Sequence, residues 1–306
     1  MSIKPILKWV GGKTQILDEI FDKFPKHINN YYEPFIGGGS IFLKLIEKCE
    51  KNDITVNNFY LNDKNKNLIL LYQTIKDNIT ELLKELEIIK NNYNTAKVIE
   101  YEPRHKCKFT ENDTINEVIN KGKLYVYYYY RYIYNLEEEN NNKKAALFLF
   151  LNKTCFRGLY REGNNKFNVS FGHYEKPKIY DKDELKKLNI LFNKYNLNFT
   201  AINFNNMKYE IHKNNFIYLD PPYYPINEKS FVDYQKSGFT DNENNKLLEL
   251  CNLFNENNIK FIHSNSCCYY NLNNYKNYKI EKILCKRRIN SKNPKDTELE
   301  LIISNF

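Results

Sequence analysis

Asp220-Pro221-Pro222-Tyr223 stands directly after the apolar run Phe216-Ile217-Tyr218-Leu219. Two consecutive prolines cannot continue a strand's hydrogen-bond ladder, so the chain must turn at the strand's C-terminal end. In open α/β sheets that end is where ligands sit. The residue types suit transfer of a methyl group to an exocyclic amine such as adenine N6. That nitrogen delocalises its lone pair into the ring and is a poor nucleophile, so two acceptors must draw it toward tetrahedral geometry. The Asp220 carboxylate can accept one N–H, and a backbone carbonyl of the Pro221-Pro222 turn, that of Pro221, can accept the other. The Tyr223 ring offers a face on which an extruded base can stack. Asp-Pro and Pro-Pro are also common in surface turns, so the tetrapeptide alone leaves both readings open.

A second strand end carries Glu33-Pro34-Phe35-Ile36-Gly37-Gly38-Gly39-Ser40, with the apolar helix pattern Ile41–Ile46 after it. Glycines there permit positive φ and close approach of backbone to a ligand. The spacing is not G-x-G-x-x-G, so no pyrophosphate is required. Asp63 closes a further apolar run about 24 residues past Gly39, near where an acidic residue binds ribose hydroxyls in nucleoside-binding sheets. Each feature alone is as readily structural. Gly12-Lys13-Thr14 imitates the end of a P-loop, but Leu7 stands where that motif needs its first glycine, which argues against a nucleoside triphosphatase.

These turns need strands to hold them. Strand-like runs occur near Asn30–Glu33, Phe59–Asn62, Phe216–Leu219, Lys260–Ser264, Lys279–Leu284 and Leu299–Ser304, with helix-like segments between several of them. The alternation predicts an α/β fold with a mostly parallel sheet. No helical pattern separates the last two runs, so they should form an antiparallel hairpin that reverses one strand at the sheet's edge. From Asp63 to Phe216 the pattern changes. Asn65–Asn91 and Ile115–Asn135 look helical, and Asn152–Tyr174 is rich in Gly, Asn, Arg and aromatics. An inserted second domain is expected, with residues 76–199 assigned to it and 1–75 and 200–306 to the first.

Composition narrows the class further. A net charge of +9 permits a polyanionic partner without demanding one. Seven cysteines with no C-x-x-C pair indicate neither a disulfide framework nor a zinc site. The longest apolar stretches, such as Ala145–Leu151, fall far short of a bilayer span, and no signal-peptide core follows Met1. A soluble, intracellular, cytoplasmic protein is the expectation.

Taken in order, the segments Trp9 to Lys13, Glu33 to Ser40, Asn62 to Asn65, Tyr128 to Asn135, Leu149 to Tyr174, Phe216 to Tyr223, Ser264 to Ser266 and Leu299 to Asn305 resemble the Dam-type, alpha-group family of DNA adenine-N6 methyltransferases. The resemblance covers nearly the whole chain. It implies a Rossmann-like methyltransferase sheet carrying an inserted helical target-recognition domain with a hairpin. It implies S-adenosyl-L-methionine as methyl donor, no metal, and double-stranded DNA as partner, with a cognate restriction endonuclease as a second partner where methylation serves restriction. Carried over residue by residue, it assigns Trp9, Lys13, Asp63 and Asp220 to the cofactor, with Phe35, Gly37 and Gly39 shaping its pocket. Without the resemblance, Trp9 reads as a core aromatic and Lys13 as a solvated helix start. Asn152 to Tyr174 resembles the family's DNA-reading hairpin, with Phe156 as the wedge, Leu159 against a base edge, Arg161 on a guanine and Tyr174 at its end. Arginine suits that place because its fork pairs with guanine O6 and N7. Arg288, in the basic run Lys286 to Lys292, resembles a contact to the DNA backbone, against the plain alternative of a solvated face. The implied target is GATC. The chain departs from the GATC pattern at Arg157, where Asn is usual, at Ser170, where Pro is usual, and in a hairpin one residue shorter.

Rival readings are a methyltransferase acting on RNA or on a protein amide, which Asp-Pro-Pro-Tyr sites also serve, and a non-catalytic DNA-binding module. The inserted domain argues against the first, and the presence of Lys13, Asp220 and Tyr223 against the second. A cytosine-C5 enzyme needs a Pro-Cys nucleophile, and none of the nine prolines precedes a cysteine.

Overall fold

The computed structural model describes residues 3–13, 15–97, 107–137, 141–226, 239–286 and 297–306. The chain divides into two compact units, one of Met1–Lys4, Lys13–Lys64 and Tyr195–Phe306, the other of Pro5–Gly12 and Asn65–Lys194.

The first unit is built on one seven-stranded sheet. Its strands are β1 (His27–Glu33), β2 (Thr55–Asn62), β5 (Leu197–Thr200), β6 (Phe216–Leu219), β7 (Lys260–Ser266), β8 (Lys279–Lys286) and β9 (Thr297–Ser304), in the order β5-β2-β1-β6-β7-β9-β8. The first five in that order pair in parallel. β9 runs antiparallel to both neighbours, so the terminal hairpin reverses one strand, with β8 outside it at the edge. This is a mixed α/β fold consistent with a Rossmann-like methyltransferase sheet.

Parallel strands are covered on both faces and read as unbroken apolar runs. All four residues of β6 are buried. Helix α2 (Ser40–Glu50) buries Ile41, Phe42, Leu43, Leu45 and Ile46. Helix α9 (Asp241–Glu256) opens on a Thr240–Glu243 capping box and buries Leu247, Cys251 and Phe254. Among the described residues the short helices α1 (Leu17–Phe21) and α10 (Tyr269–Asn274) also belong to this unit. From β1 the chain builds outward to β2 and β5, and from β6 it builds the other way. The order therefore reverses between β1 and β6, where open α/β sheets form their binding crevice.

The second unit contains α3 (Lys66–Asp77), α4 (Ile79–Thr95), α5 (Ile115–Lys121), α6 (Lys123–Leu136), α7 (Asn142–Thr154) and α8 (Lys182–Lys194). The helix expected over Asn65–Asn91 is two helices, because Asn78 leaves helical geometry at φ −136°, ψ 40°. α3 buries Leu68, Ile69, Leu71 and Tyr72 and packs on α7 and α8, which draws residues 65–75 into this unit. α7 is buried from Ala145 to Asn152, so it shows no amphipathic stripe and had no helical signature in the sequence. Among the described residues no helix is long and apolar enough to cross a membrane.

A two-stranded hairpin, β3 (Glu162–Gly163) and β4 (Lys166–Phe167), belongs to the same unit. Its turn residues Asn164 and Asn165 both have positive φ, 52° and 58°, the signature of a two-residue type I′ turn. α6 holds the hairpin through side chains. The Asn135 carboxamide accepts from Phe167 N (2.8 Å) and donates to Phe167 O (3.0 Å). Tyr127 and Arg131 both donate to Val169 O, at 2.8 and 3.1 Å.

The Asn152 carboxamide does the same for Pro5–Gly12. Its Oδ1 accepts from Lys8 N (2.9 Å), and its Nδ2 donates to Lys8 O (2.8 Å) and Gly158 O (3.1 Å). Gly158 sits at φ 66°, and a Cβ there would stand 2.4 Å from Lys8 Cβ. Gly158→Ala combines a left-handed backbone with that overlap. It should lower the thermal midpoint, at a cost of about 1–3 kcal/mol. An unchanged midpoint in calorimetry would mean that the Lys8 segment yields freely.

Candidate active site

β1 and β6 are paired neighbours, with Tyr31 opposite Phe216 and Tyr32 opposite Ile217. The Pro34–Gly39 loop and the Asp220–Tyr223 turn therefore leave the sheet side by side. Gly37 has φ 46°, and Gly39, at φ 77°, sits at the N-cap of α2; side chains rarely adopt either value. Gly37 N donates to Asp63 Oδ2 at 3.0 Å, which ties the glycine turn to the end of β2. Phe35 packs against Phe204 and Phe239, with ring centroids 5.1 and 5.9 Å apart.

Lys13 is not a solvated helix start. It is 3% exposed, and its Nζ lies 2.8 Å from Asp220 Oδ1, the Asp220 side chain being 19% exposed. The same ammonium stands 4.7 Å over the Tyr223 ring. Burial pushes the Asp220 carboxyl up to about 6, against the pull of Lys13. Tyr223 donates its hydroxyl to Glu300 Oε2 at 2.7 Å, which fixes the ring's orientation from β9. Burial also holds its hydroxyl well above the ordinary phenol range, and the Asp220 and Glu300 charges add to this.

Several residues here had no chemical signature in the sequence. Glu33 is buried at the end of β1 and accepts from Tyr31 Oη at 2.6 Å. Burial holds its carboxyl well above the usual range, opposed by the Tyr31 bond and reinforced by the Asp220 and Asp63 charges. The buried Asn62 carboxamide joins three strand ends. It donates to Pro34 O and Ile202 O, both at 3.0 Å, and accepts from Thr200 Oγ1 (2.9 Å) and Ile202 N (3.1 Å). Only a completed sheet brings those partners to one side chain.

Lys13, Phe35, Gly37, Gly39, Asp63 and Asp220 to Tyr223 all belong to the first unit, and Trp9 to the second. The Trp9 ring stacks on Tyr160, with centroids 5.7 Å apart, and packs near Phe148. In the same unit Phe156 is 47% exposed, Arg161 is exposed, and Leu159 is half-buried. Tyr174 lies under the Lys8 ammonium at 4.2 Å. Arg157 has φ 57°, a left-handed value that Asn tolerates better than Arg, which gives a physical reason for the family's usual residue at this position. Its guanidinium sits 5.0 Å over the Phe156 ring. Arg288 lies outside the described residues.

The profile described as D12 class N6 adenine-specific DNA methyltransferase matches residues 9–293, a span that takes in the glycine turn, Asp63 and the Asp-Pro-Pro-Tyr turn. The chain belongs to this family. It is an adenine-specific DNA methyltransferase. This methyltransferase is 32% identical to the type II methyltransferase M.MjaIII of Methanocaldococcus jannaschii, with both chains covered in full. It is 27% identical to the type II methyltransferase M1.LlaDCHI of Lactococcus lactis subsp. cremoris, over 100% of this chain and 96% of the relative. It is also 27% identical to the DNA adenine methylase of Escherichia coli K12, over 94% and 90%.

Proposed function

We propose that the chain transfers methyl from S-adenosylmethionine to N6 of an adenine flipped out of duplex DNA, within the target GATC. The observation that carries this reading is the ion pair of the buried Lys13 with Asp220 at the reversal of the strand order, on a strand end beside the glycine turn that Asp63 holds. The donor set fits the cofactor. A carboxylate at the end of β2 suits ribose hydroxyls, and a glycine turn lets backbone approach closely. Lys13, Phe35, Gly37, Gly39, Asp63 and Asp220 would hold it. When bound, it supplies an electrophilic methyl group.

The chain's own residues do the rest. Asp220 and the Pro221 carbonyl accept the two N6 hydrogens and free the nitrogen lone pair. Tyr223, oriented by Glu300, stacks on the base. Lys13 keeps Asp220 ionised in its buried setting. The first unit serves catalysis, and the second reads the target through Phe156, Leu159, Arg161 and Tyr174. Two relatives named as type II methyltransferases support a role beside a cognate restriction endonuclease.

The test is methyl transfer from labelled S-adenosylmethionine to duplex DNA, with nucleoside analysis of the product. N6-methyladenine is expected, and Asp63→Ala should raise the KM for the donor. Label mainly in cytosine, in RNA or in protein would overturn the reading.

A further inference from the structure

We propose that His263 and Asn265 are positioning residues that lock the Asp220–Tyr224 turn for transfer through a His263–Asn265–Tyr224 relay. The inference rests on the reading of that turn as the amine-binding element. β7 lies beside β6, with His263 opposite Leu219, the residue before Asp220. His263 and Asn265 are both fully buried on β7. Asn265 Oδ1 accepts from Tyr224 N (3.0 Å) and Ser266 N (2.8 Å), while Asn265 Nδ2 faces His263 Nε2 at 3.1 Å. Ser266 Oγ donates to Tyr224 O at 2.6 Å, and Asn271 Nδ2 donates to Ser266 O at 2.9 Å. Both backbone polar groups of Tyr224 are thus held from β7.

The turn is consequently pinned at both ends. Asp220 follows directly on β6, Tyr224 is clamped, and the two prolines between them have fixed φ. The direction of the Pro221 carbonyl then depends on where the Tyr224 end is held. That depends on which way the Asn265 amide faces. Flipped by half a turn, Asn265 would set its NH2 group against two N–H donors and its oxygen against His263. A neutral His263 with its proton on Nδ1 presents Nε2 as an acceptor and selects the observed orientation. Burial keeps this imidazole neutral, pulling it down to about 3. Among the described residues its Nδ1 has no hydrogen-bond partner, and the ring stands edge-on to Tyr275 at 4.9 Å. Such an orphaned donor is a cost that a leucine at this position would avoid.

That cost supplies the test. His263→Leu, His263→Gln and Asn265→Ala would be compared with wild type for thermal midpoint, affinity for S-adenosylmethionine alone, single-turnover methylation rate and hydrogen exchange of the Tyr224 amide. His263→Leu should keep the midpoint and the donor affinity. It should lose about tenfold or more in single-turnover rate, since small misplacements of reacting groups carry penalties of that order, and it should expose the Tyr224 amide to exchange. His263→Gln, whose carbonyl can accept from Asn265, should recover most of both. Asn265→Ala should lose both whatever stands at 263. A His263→Leu protein with wild-type rate and wild-type Tyr224 protection would overturn the relay. So would loss of rate only in step with loss of midpoint, with glutamine no better than leucine. If wild type methylates no DNA, the underlying reading fails, and the Tyr224 exchange comparison still decides the relay.

Discussion

Asp220→Ala is expected to abolish methyl transfer while leaving most of the DNA affinity intact. Removing one group that stabilises developing charge in a dry site costs about 10²–10³ in rate, and in the proposed mechanism the substitution also withdraws the acceptor that frees the N6 lone pair. DNA affinity depends mainly on phosphate contacts and should fall much less. Asp220→Asn keeps one acceptor oxygen without its charge and should retain a trace of activity.

The raised pKa adds a pH test. The carboxyl must be ionised to accept, so kcat/KM should fall as pH drops through about 6. Its folded-state value lies above the ordinary 3.8, so the folded protein binds the extra proton between 3.8 and about 6. Stability is therefore lost as pH rises through that window, by about 3 kcal/mol at most. Lys13→Met removes the cation that lowers the carboxyl's pKa, so the acid limb should move to higher pH. Rates and DNA binding of the three variants from pH 5 to 8, with folding checked at each pH, decide the matter. Turnover by Asp220→Ala near the wild-type rate, or an acid limb unmoved by Lys13→Met, would remove the pair from the chemistry.

Arg161→Ala should change what the enzyme reads more than how fast it works. Arg161 is exposed in the hairpin region, and its Nε donates to Asn168 Oδ1 at 2.7 Å. That bond orients the guanidinium and leaves the Nη1/Nη2 edge as the fork that, in the proposed reading, would meet guanine O6 and N7. A lost bidentate pair costs about 1–3 kcal/mol of discrimination, roughly tenfold to a hundredfold against a wrong base. Arg161→Lys should restore only part, since lysine lacks the fork. The measurement is methylation rate on duplexes varied one base pair at a time around the adenine. A uniform fall at every duplex, with the ranking unchanged, would make Arg161 a backbone contact or a structural residue.

The sequence by itself determined what is local along the chain. Phe216–Leu219 as a buried strand, the turn imposed by Pro221 and Pro222, the glycine turn at Gly37–Gly39 and the terminal hairpin all follow from side-chain period and from the backbone limits of Pro and Gly. The ordered set of motifs carried the family with them. Only the tertiary structure decided which side chains meet. Lys13 and Asp220 lie more than two hundred residues apart in the chain, and a lysine after two glycines reads as solvated until the sheet buries it against a carboxylate. Glu300 reads as one more charge in the terminal hairpin until β9 brings it to Tyr223. The carboxamides of Asn62, Asn135, Asn152 and Asn265 each complete a network whose partners lie on other segments, and in an asparagine-rich chain nothing local sets them apart. α7 has no period in the sequence, because a helix buried on every side has no polar face to give it one. Periodicity and turn chemistry act over a few residues, whereas ion pairing and amide orientation depend on strand order, which no local pattern encodes.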